Sequence, residues 1–163
     1  RLWTVGAALR GKPQFVAVGV ETNDPGNAGT IVRIADATGA NAVIFAGDTV
    51  DPESSKVVRA SAGSLFHLPV ARERNIKDVI GQLRAQGLQI VATAMDGEVP
   101  LDQASEVLQR PTAWLFGNEA HGLSAELLEL ADHRVSIPIK GSAESLNLAT
   151  AAAMCMWESS KAL

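Results

Sequence analysis

The chain has 163 residues, 47% of them hydrophobic and 20% charged, which excludes a disordered polypeptide and suits one domain with its own core. Its formal net charge of −4 argues against nucleic acid as the partner. The charge is unevenly spread, however: residues 1–90 hold 10 Lys and Arg against 8 Asp and Glu, and residues 91–163 hold 4 against 10, so a polyanion should approach the first half.

Taken in order, residues 1–14 start at Arg1 and show no strong period; they read as a linker or the tail of an upstream domain, with the main domain over 15–163. Phe15–Val20 is a short apolar, β-branched run, expected to be a buried strand. A loop rich in turn formers, Glu21–Thr30, leads to a helix from Ile31 with Ile31, Ile34 and Ala35 on one face and Arg33 on the other. Gly39 caps it, and Ala42–Ala46 gives a second strand. Glu53–Ala60 reads as a helix ended by the Ser61–Ser64 turn. Leu65–Val70 is an apolar stretch carrying His67, expected as a satisfied core histidine, and the basic Arg72 and Arg74 follow it.

A helix over Ile76–Gln86 stops at Gly87, strand Leu88–Ala94 follows, and an acidic loop around Asp96 precedes a short helix expected over Asp102–Leu108. Thr112–Phe116 is a strand that empties into Gly117-Asn-Glu-Ala-His-Gly122. Ser124 caps a helix over Ala125–Leu130. The last unit is a strand over Val135–Ile139, a polar loop, and a helix opened by Ser145 or Asn147 with Ala149, Ala152, Ala153, Met156 and Trp157 at helical spacing. Pro138 cannot donate to a ladder, so that strand lies at an edge or ends there. Strands alternating with helices imply an α/β fold, a mostly parallel sheet covered by helices on both faces. Such sheets bind ligands at the carboxyl ends of their strands, where loops 21–30, 117–122 and 140–147 should converge.

Several chemistries lack support. Gly26-Asn-Ala-Gly29 is not a dinucleotide fingerprint, no phosphate-binding Gly-Lys-Ser/Thr loop occurs, and no serine sits in a Gly-x-Ser-x-Gly elbow. His67, His121 and His133 are scattered and Cys155 is the single cysteine, so no metal is expected and the thiol reads as an inert core group. No apolar run reaches the roughly 20 residues that span a bilayer, and there is no signal-peptide pattern, so a soluble cytoplasmic protein is expected.

What remains is the pattern Asn27-x-Gly29-x-x-x-Arg33, then Leu115-Phe-Gly-Asn-Glu-Ala-His-Gly-Leu123, then Ile137-Pro-Ile-x-Gly-x-x-Glu-Ser-Leu-Asn-Leu-Ala149. These segments resemble, in order, the three motifs of the SpoU (TrmH-like) RNA 2′-O-ribose methyltransferases. The resemblance implies a SPOUT fold with a deep C-terminal trefoil knot, and S-adenosyl-L-methionine held largely by backbone groups. Residue by residue it implies a cofactor pocket of Gly117, Ile137 and Leu146, lined by Thr93, Ala94, Met95, Leu115 and Phe116. It gives Arg33 a role in activating the ribose hydroxyl, with Asn27 orienting Arg33 or the RNA phosphate, Glu119 fixing the first loop, and Ser145 and Asn147 completing the site. A guanidinium of pKa above about 12 is a poor base, so Arg33 is better read as binding the adjacent phosphate and polarising the hydroxyl. For RNA phosphates the candidates are Arg33, Lys56, Arg59, Arg72 and Arg74, and the segment from Lys56 to Pro69 looks like that of two-domain family members acting on ribosomal RNA. By the same resemblance a homodimer is expected, and residues 1–14 would trail an N-terminal RNA-binding domain. Competing readings are a tRNA methyltransferase, a knotted RNA-binding module without activity, and a Rossmann-like nucleotide enzyme.

Overall fold

A computed structural model describes residues 1–163. Its centre is a seven-stranded sheet in the order β3-β2-β1-β6-β4-β7-β5, with every pair parallel. The strands are β1 (Phe15–Val20), β2 (Ala42–Ala46), β3 (Val70–Glu73), β4 (Gln89–Thr93), β5 (Val99–Pro100), β6 (Thr112–Phe116) and β7 (His133–Ser136). The helices are α1 (Val5–Ala8), α2 (Pro25–Thr38), α3 (Ser55–Ala60), α4 (Ile76–Ala85), α5 (Ala125–Leu130) and α6 (Leu148–Ala162).

The central strands have no polar face because both faces are covered. In β1, Phe15 and Ala17 point into one core with α2, α3 and α6, while Val16, Val18 and Val20 point into the other with α1, α4 and α5. Every residue of β1, β2 and β6 is buried, the continuous apolar run that a doubly covered parallel strand requires. Trp114 on β6 stacks on Phe116 with ring centroids 5.9 Å apart, and its indole N–H donates to Ser159 Oγ at 2.8 Å. Burying a large aromatic side chain stabilises by about 1.5–3 kcal/mol, and here it also fastens the far end of α6 to the central strand.

The structure corrects several expectations. Helix α2 begins at Pro25, capped by Asp24 whose carboxylate accepts from the Asn27 N–H at 3.0 Å, so the first loop is shorter than expected and Asn27 and Gly29 are helical. Proline at the first helical position lacks an N–H that would have no partner there anyway. The segment 102–108 forms two single 3₁₀ turns, Leu101–Gln103 and Val107–Gln109, not a helix. The last strand runs over His133–Ser136; it ends before Pro138 and lies inside the sheet, with the two-residue β5 as the edge. Segment 65–70 splits into a 3₁₀ turn (Ser64–Phe66) and the start of β3, and His67 is exposed, its Nδ1 2.8 Å from Asp36 Oδ2. Residues 1–14 are not all linker: the Trp3 N–H donates to Val70 O at 2.9 Å, and Val5, Ala8 and Leu9 are buried.

Candidate active site

Two loops leave the carboxyl ends of the adjoining strands β1 and β6 and are tied together. After β1 the chain turns through Glu21, whose φ of 54° is the left-handed region that side chains disfavour. Asn118, just after β6, donates from Nδ2 to Glu21 O at 2.7 Å, and its Oδ1 accepts from the N–H groups of Ala120 and His121. Glu119 reaches the same loop: Oε1 accepts from Asn23 N–H at 3.2 Å and Oε2 from Asp24 N–H at 2.7 Å. Asp24 caps α2, so Glu119 fastens the start of the helix that carries Asn27 and Arg33.

Beside this junction lies a cleft of about 570 Å³ at the ends of β4, β6 and β7, within the range of about 300–1,000 Å³ usual for small-molecule sites. Thr93, Ala94, Met95, Gly117, Ile137 and Leu146 line it, as do Glu119 and Ser145. Leu115 and Phe116 do not: both are fully buried, and they back the cleft from the core, Leu115 O accepting from Thr93 Oγ1 at 3.2 Å. Leu128 and Ala151, which also line it, carried no signal in the sequence, whereas Asn118 and Glu144 lie in the loops 117–122 and 140–147 expected to converge there. The link from Asn118 to Glu21 spans 97 positions of sequence.

Two features leave backbone groups bare along the cleft. A Cβ on Gly117 would lie 2.6 Å from Gly122 C and 2.7 Å from Leu123 N, so no side chain fits where the 117–122 hairpin closes on itself. Residues 138–146 are exposed and make no backbone hydrogen bond to the rest of the chain, so their N–H and C=O groups are free to pair with a ligand. Arg134 holds the opposite wall, with a bidentate pair to Glu98 at 2.8 and 2.9 Å and Nη1 donating to Leu128 O and Ala131 O. That pairing holds the Glu98 carboxyl below the usual carboxylate range. The charged groups lining the cleft are Asp96, Glu119 and Glu144, with no Lys or Arg among them.

The remaining site candidates lie elsewhere. Asn147 caps α6, its Oδ1 accepting from Ala149 N–H at 2.9 Å and Thr150 N–H at 3.3 Å. Asn27 is buried in the first turn of α2, and Arg33 is exposed two turns on; neither lines the cleft. Among the basic candidates, Arg72 is engaged with Thr49 through Oγ1 at 3.2 Å and the carbonyl at 2.7 Å, and Arg74 pairs with Asp48 at 3.7 Å. Lys56 and Arg59 stand exposed on α3. Cys155 is wholly buried, which pushes its thiol far up and leaves it inert. No group of His, Cys, Asp and Glu could hold a metal, and no helix is long and apolar enough to cross a membrane.

A doubly covered parallel sheet with a cleft at its strand ends defines an α/β protein of the doubly wound kind. The profile of the SpoU rRNA Methylase family matches residues 14–157, and the chain belongs to that family. It is 40% identical over 134 residues to the 23S rRNA (guanosine(2553)-2′-O)-methyltransferase RlmP of Bacillus subtilis, covering 82% of this chain and 53% of that protein. It is 43% identical to the 23S rRNA (uridine(2479)-2′-O)-methyltransferase of Streptomyces viridochromogenes, covering 82% and 48%. The chain therefore spans about half the length of these relatives. Among solved structures, an AdoMet-bound rRNA methyltransferase from Sinorhizobium meliloti superposes with a TM-score of 0.89 at 38% identity, covering 99% of this chain and 61% of that one. AviRb from Streptomyces viridochromogenes with AdoMet superposes with a TM-score of 0.88 at 35% identity, covering 95% and 63%.

Proposed function

We propose that this chain transfers a methyl group from S-adenosyl-L-methionine to a ribose 2′-hydroxyl of RNA, with ribosomal RNA as the substrate class and the cytoplasm as its place of work. The observation that carries the proposal is the cleft: glycine-walled, edged by unpaired backbone, and lined by three carboxylates without a Lys or Arg. Its chemistry fits this cofactor. Ile137, Leu146 and Leu123 offer apolar surface to an adenine ring, the free groups of residues 138–146 suit its polar edge, and the carboxylates favour a cationic sulfonium. The same carboxylates repel RNA phosphates, so the polyanion must be held outside the cleft.

When bound, the cofactor supplies a methyl group on a good leaving group, so the protein's share of the work is positioning and electrostatics. Gly117 and the 138–146 loop hold the donor. Glu119, through Asp24, sets the direction of α2, and Asn27 and Arg33 travel with that helix. Arg33 binds the phosphate next to the target ribose and polarises the hydroxyl. Because Arg33 stands outside the cleft of its own chain, RNA or a second copy must join the two. A homodimer fits the half-exposed Met154 and Trp157 on α6, and a C-terminal knot fits the small residues that let α6 lie close against α2.

The test is tritium incorporation from labelled cofactor into ribosomal RNA from cells lacking the gene. Arg33→Ala should retain cofactor binding by calorimetry and lose most transfer; undiminished transfer refutes the assignment. No heat with S-adenosyl-L-methionine and no competition by S-adenosylhomocysteine would favour a non-catalytic RNA-binding module. Transfer to tRNA in preference to ribosomal RNA would favour the other substrate class, to which an Escherichia coli relative of 32% identity, the tRNA (guanosine(18)-2′-O)-methyltransferase, belongs.

A further inference from the structure

Three of the four phenylalanines, Phe15, Phe45 and Phe116, are at most 3% exposed, whereas Phe66 is 75% exposed. A lone exposed apolar side chain is ordinary, but this one stands on a turn that is held from several sides. Ser64 Oγ donates to Asp36 Oδ2 at 2.8 Å, and His67 Nδ1 lies 2.8 Å from the same oxygen, so the residues bracketing Leu65 and Phe66 are fastened to one carboxylate of α2. The Phe66 N–H donates to Gly63 O at 3.1 Å and the His67 N–H to Ser64 O at 2.9 Å. The chain enters through Ala62 and Gly63 at φ values of 51° and 89°, a conformation that Ala62 adopts only under constraint. The fold thus fixes the backbone of the turn and leaves the Phe66 ring in water.

The surroundings are cationic. On α2, Gly29, Arg33 and Asp36 are spaced as one helical stripe. Gly29 is the crossing with α3, since a Cβ there would lie 2.4 Å from Ala60 Cβ and 2.6 Å from Val57 O. Asp36 is the tether of the Phe66 turn, so Arg33 sits between α3 and that turn. Arg33, Lys56 and Arg59 are exposed and form no ion pair. Lys56 and Arg59, three apart on α3, share a face.

We propose that the Gly63–His67 turn is a base-stacking platform: Phe66 takes an unpaired RNA base on its ring, and Lys56, Arg59 and Arg33 hold the flanking phosphates. This rests on the RNA reading above and names Phe66 as a recognition residue of that substrate. Single-stranded RNA is bound by aromatic faces set among cations, since every base has a π-face and every linkage a charge. Three exposed cations without ion-pair partners favour that occupant, because a phosphate backbone offers a charge at every linkage along the patch. Asp36 acts as a positioning residue, touching no RNA but fixing the turn that carries Phe66.

The test is fluorescence anisotropy of a labelled, unstructured RNA of mixed sequence, on the order of 12 nucleotides, titrated with the full chain at several salt concentrations. Phe66→Ala and Phe66→Leu should each weaken binding by about 5- to 150-fold, and Phe66→Trp should restore it. Phe66→Ala should leave the salt dependence unchanged, whereas Lys56→Ala should lower its slope by about 1. Asp36→Ala should weaken binding in the wild-type background and not in Phe66→Ala, which separates positioning from a general loss of fold. Wild-type affinity in Phe66→Ala, or in Phe66→Leu, overturns the platform. So does light scattering in which Phe66→Ala turns a dimer into a monomer, because the ring then belongs to an interface between copies. The methyltransferase reading fails separately: wild-type protein that shows these binding differences yet transfers no methyl group to ribosomal RNA keeps the platform and loses the enzyme.

Discussion

Glu119→Ala probes the side-chain brace between the cleft and the start of α2. The substitution removes a carboxylate that accepts from Asn23 N–H at 3.2 Å and Asp24 N–H at 2.7 Å. Bonds to a charged acceptor are worth about 1.5–3 kcal/mol when shielded, but this side chain is exposed, and water compensates most of the loss. About 1 kcal/mol of stability should go, lowering Tm by about 2–4 °C for a chain of this size. The kinetic effect should be larger. Without the brace, Asp24 and the first turn of α2 shift relative to the cleft, and a displacement of about 1 Å at a reacting group costs on the order of 100-fold in rate. Methyl transfer should therefore fall by about that factor, while cofactor affinity falls by less than about tenfold, because Asp96 and Glu144 remain to face the sulfonium. Glu119→Gln, which keeps one acceptor oxygen, should fall between. Calorimetry with the cofactor alongside tritium transfer separates the outcomes: unchanged transfer, or a collapse of cofactor affinity, would refute the bracing role.

Gly117→Ala should shift the 117–122 hairpin by roughly 1 Å, since a Cβ 2.6 Å from Gly122 C must retreat toward the usual 3.5–4.0 Å. A cost of about 1–3 kcal/mol should appear in urea unfolding, together with weaker cofactor binding by calorimetry. Asn147→Ala removes the cap of α6 and should cost about 0.5–2 kcal/mol, with faster hydrogen exchange at Ala149 and Thr150 while Ser159, held by Trp114, stays protected. Hydrogen bonding to His67 and Ser64 lowers the pKa of Asp36, and hydrogen bonding to Arg134 lowers that of Glu98. Their contribution is therefore full above the ordinary carboxylate range and lost as pH falls through the lowered values. Asp36→Asn with Glu98→Gln should flatten the acid limb of stability against pH in urea titrations, and an unchanged limb would remove both pairs from the account.

Periodicity alone carried most of the architecture. The apolar runs of β1, β2 and β6 and the spacing of Ile31 and Ala35 or Ala152 and Met156 are local consequences of burying a strand on two faces and a helix on one. The loops after β1, β6 and β7 were legible for the same reason, because polar, glycine-bearing segments have to follow strands that cannot turn. The rest depended on partners distant in sequence. β3 is two buried residues followed by two more polar ones, and only β2 beside it makes it a strand. Glu119 was joined to the first loop by the family resemblance and by no period in the chain; Asn118 carries no signal that it holds a loop 97 residues away, His67 none that Asp36 draws it to the surface, and Phe66 none that the turn carrying it is fastened. Local sequence determines which faces must be hidden. Which polar groups meet is decided only when the sheet brings the ends of its strands together, since a hydrogen bond acts over a few ångströms and leaves no period in the chain.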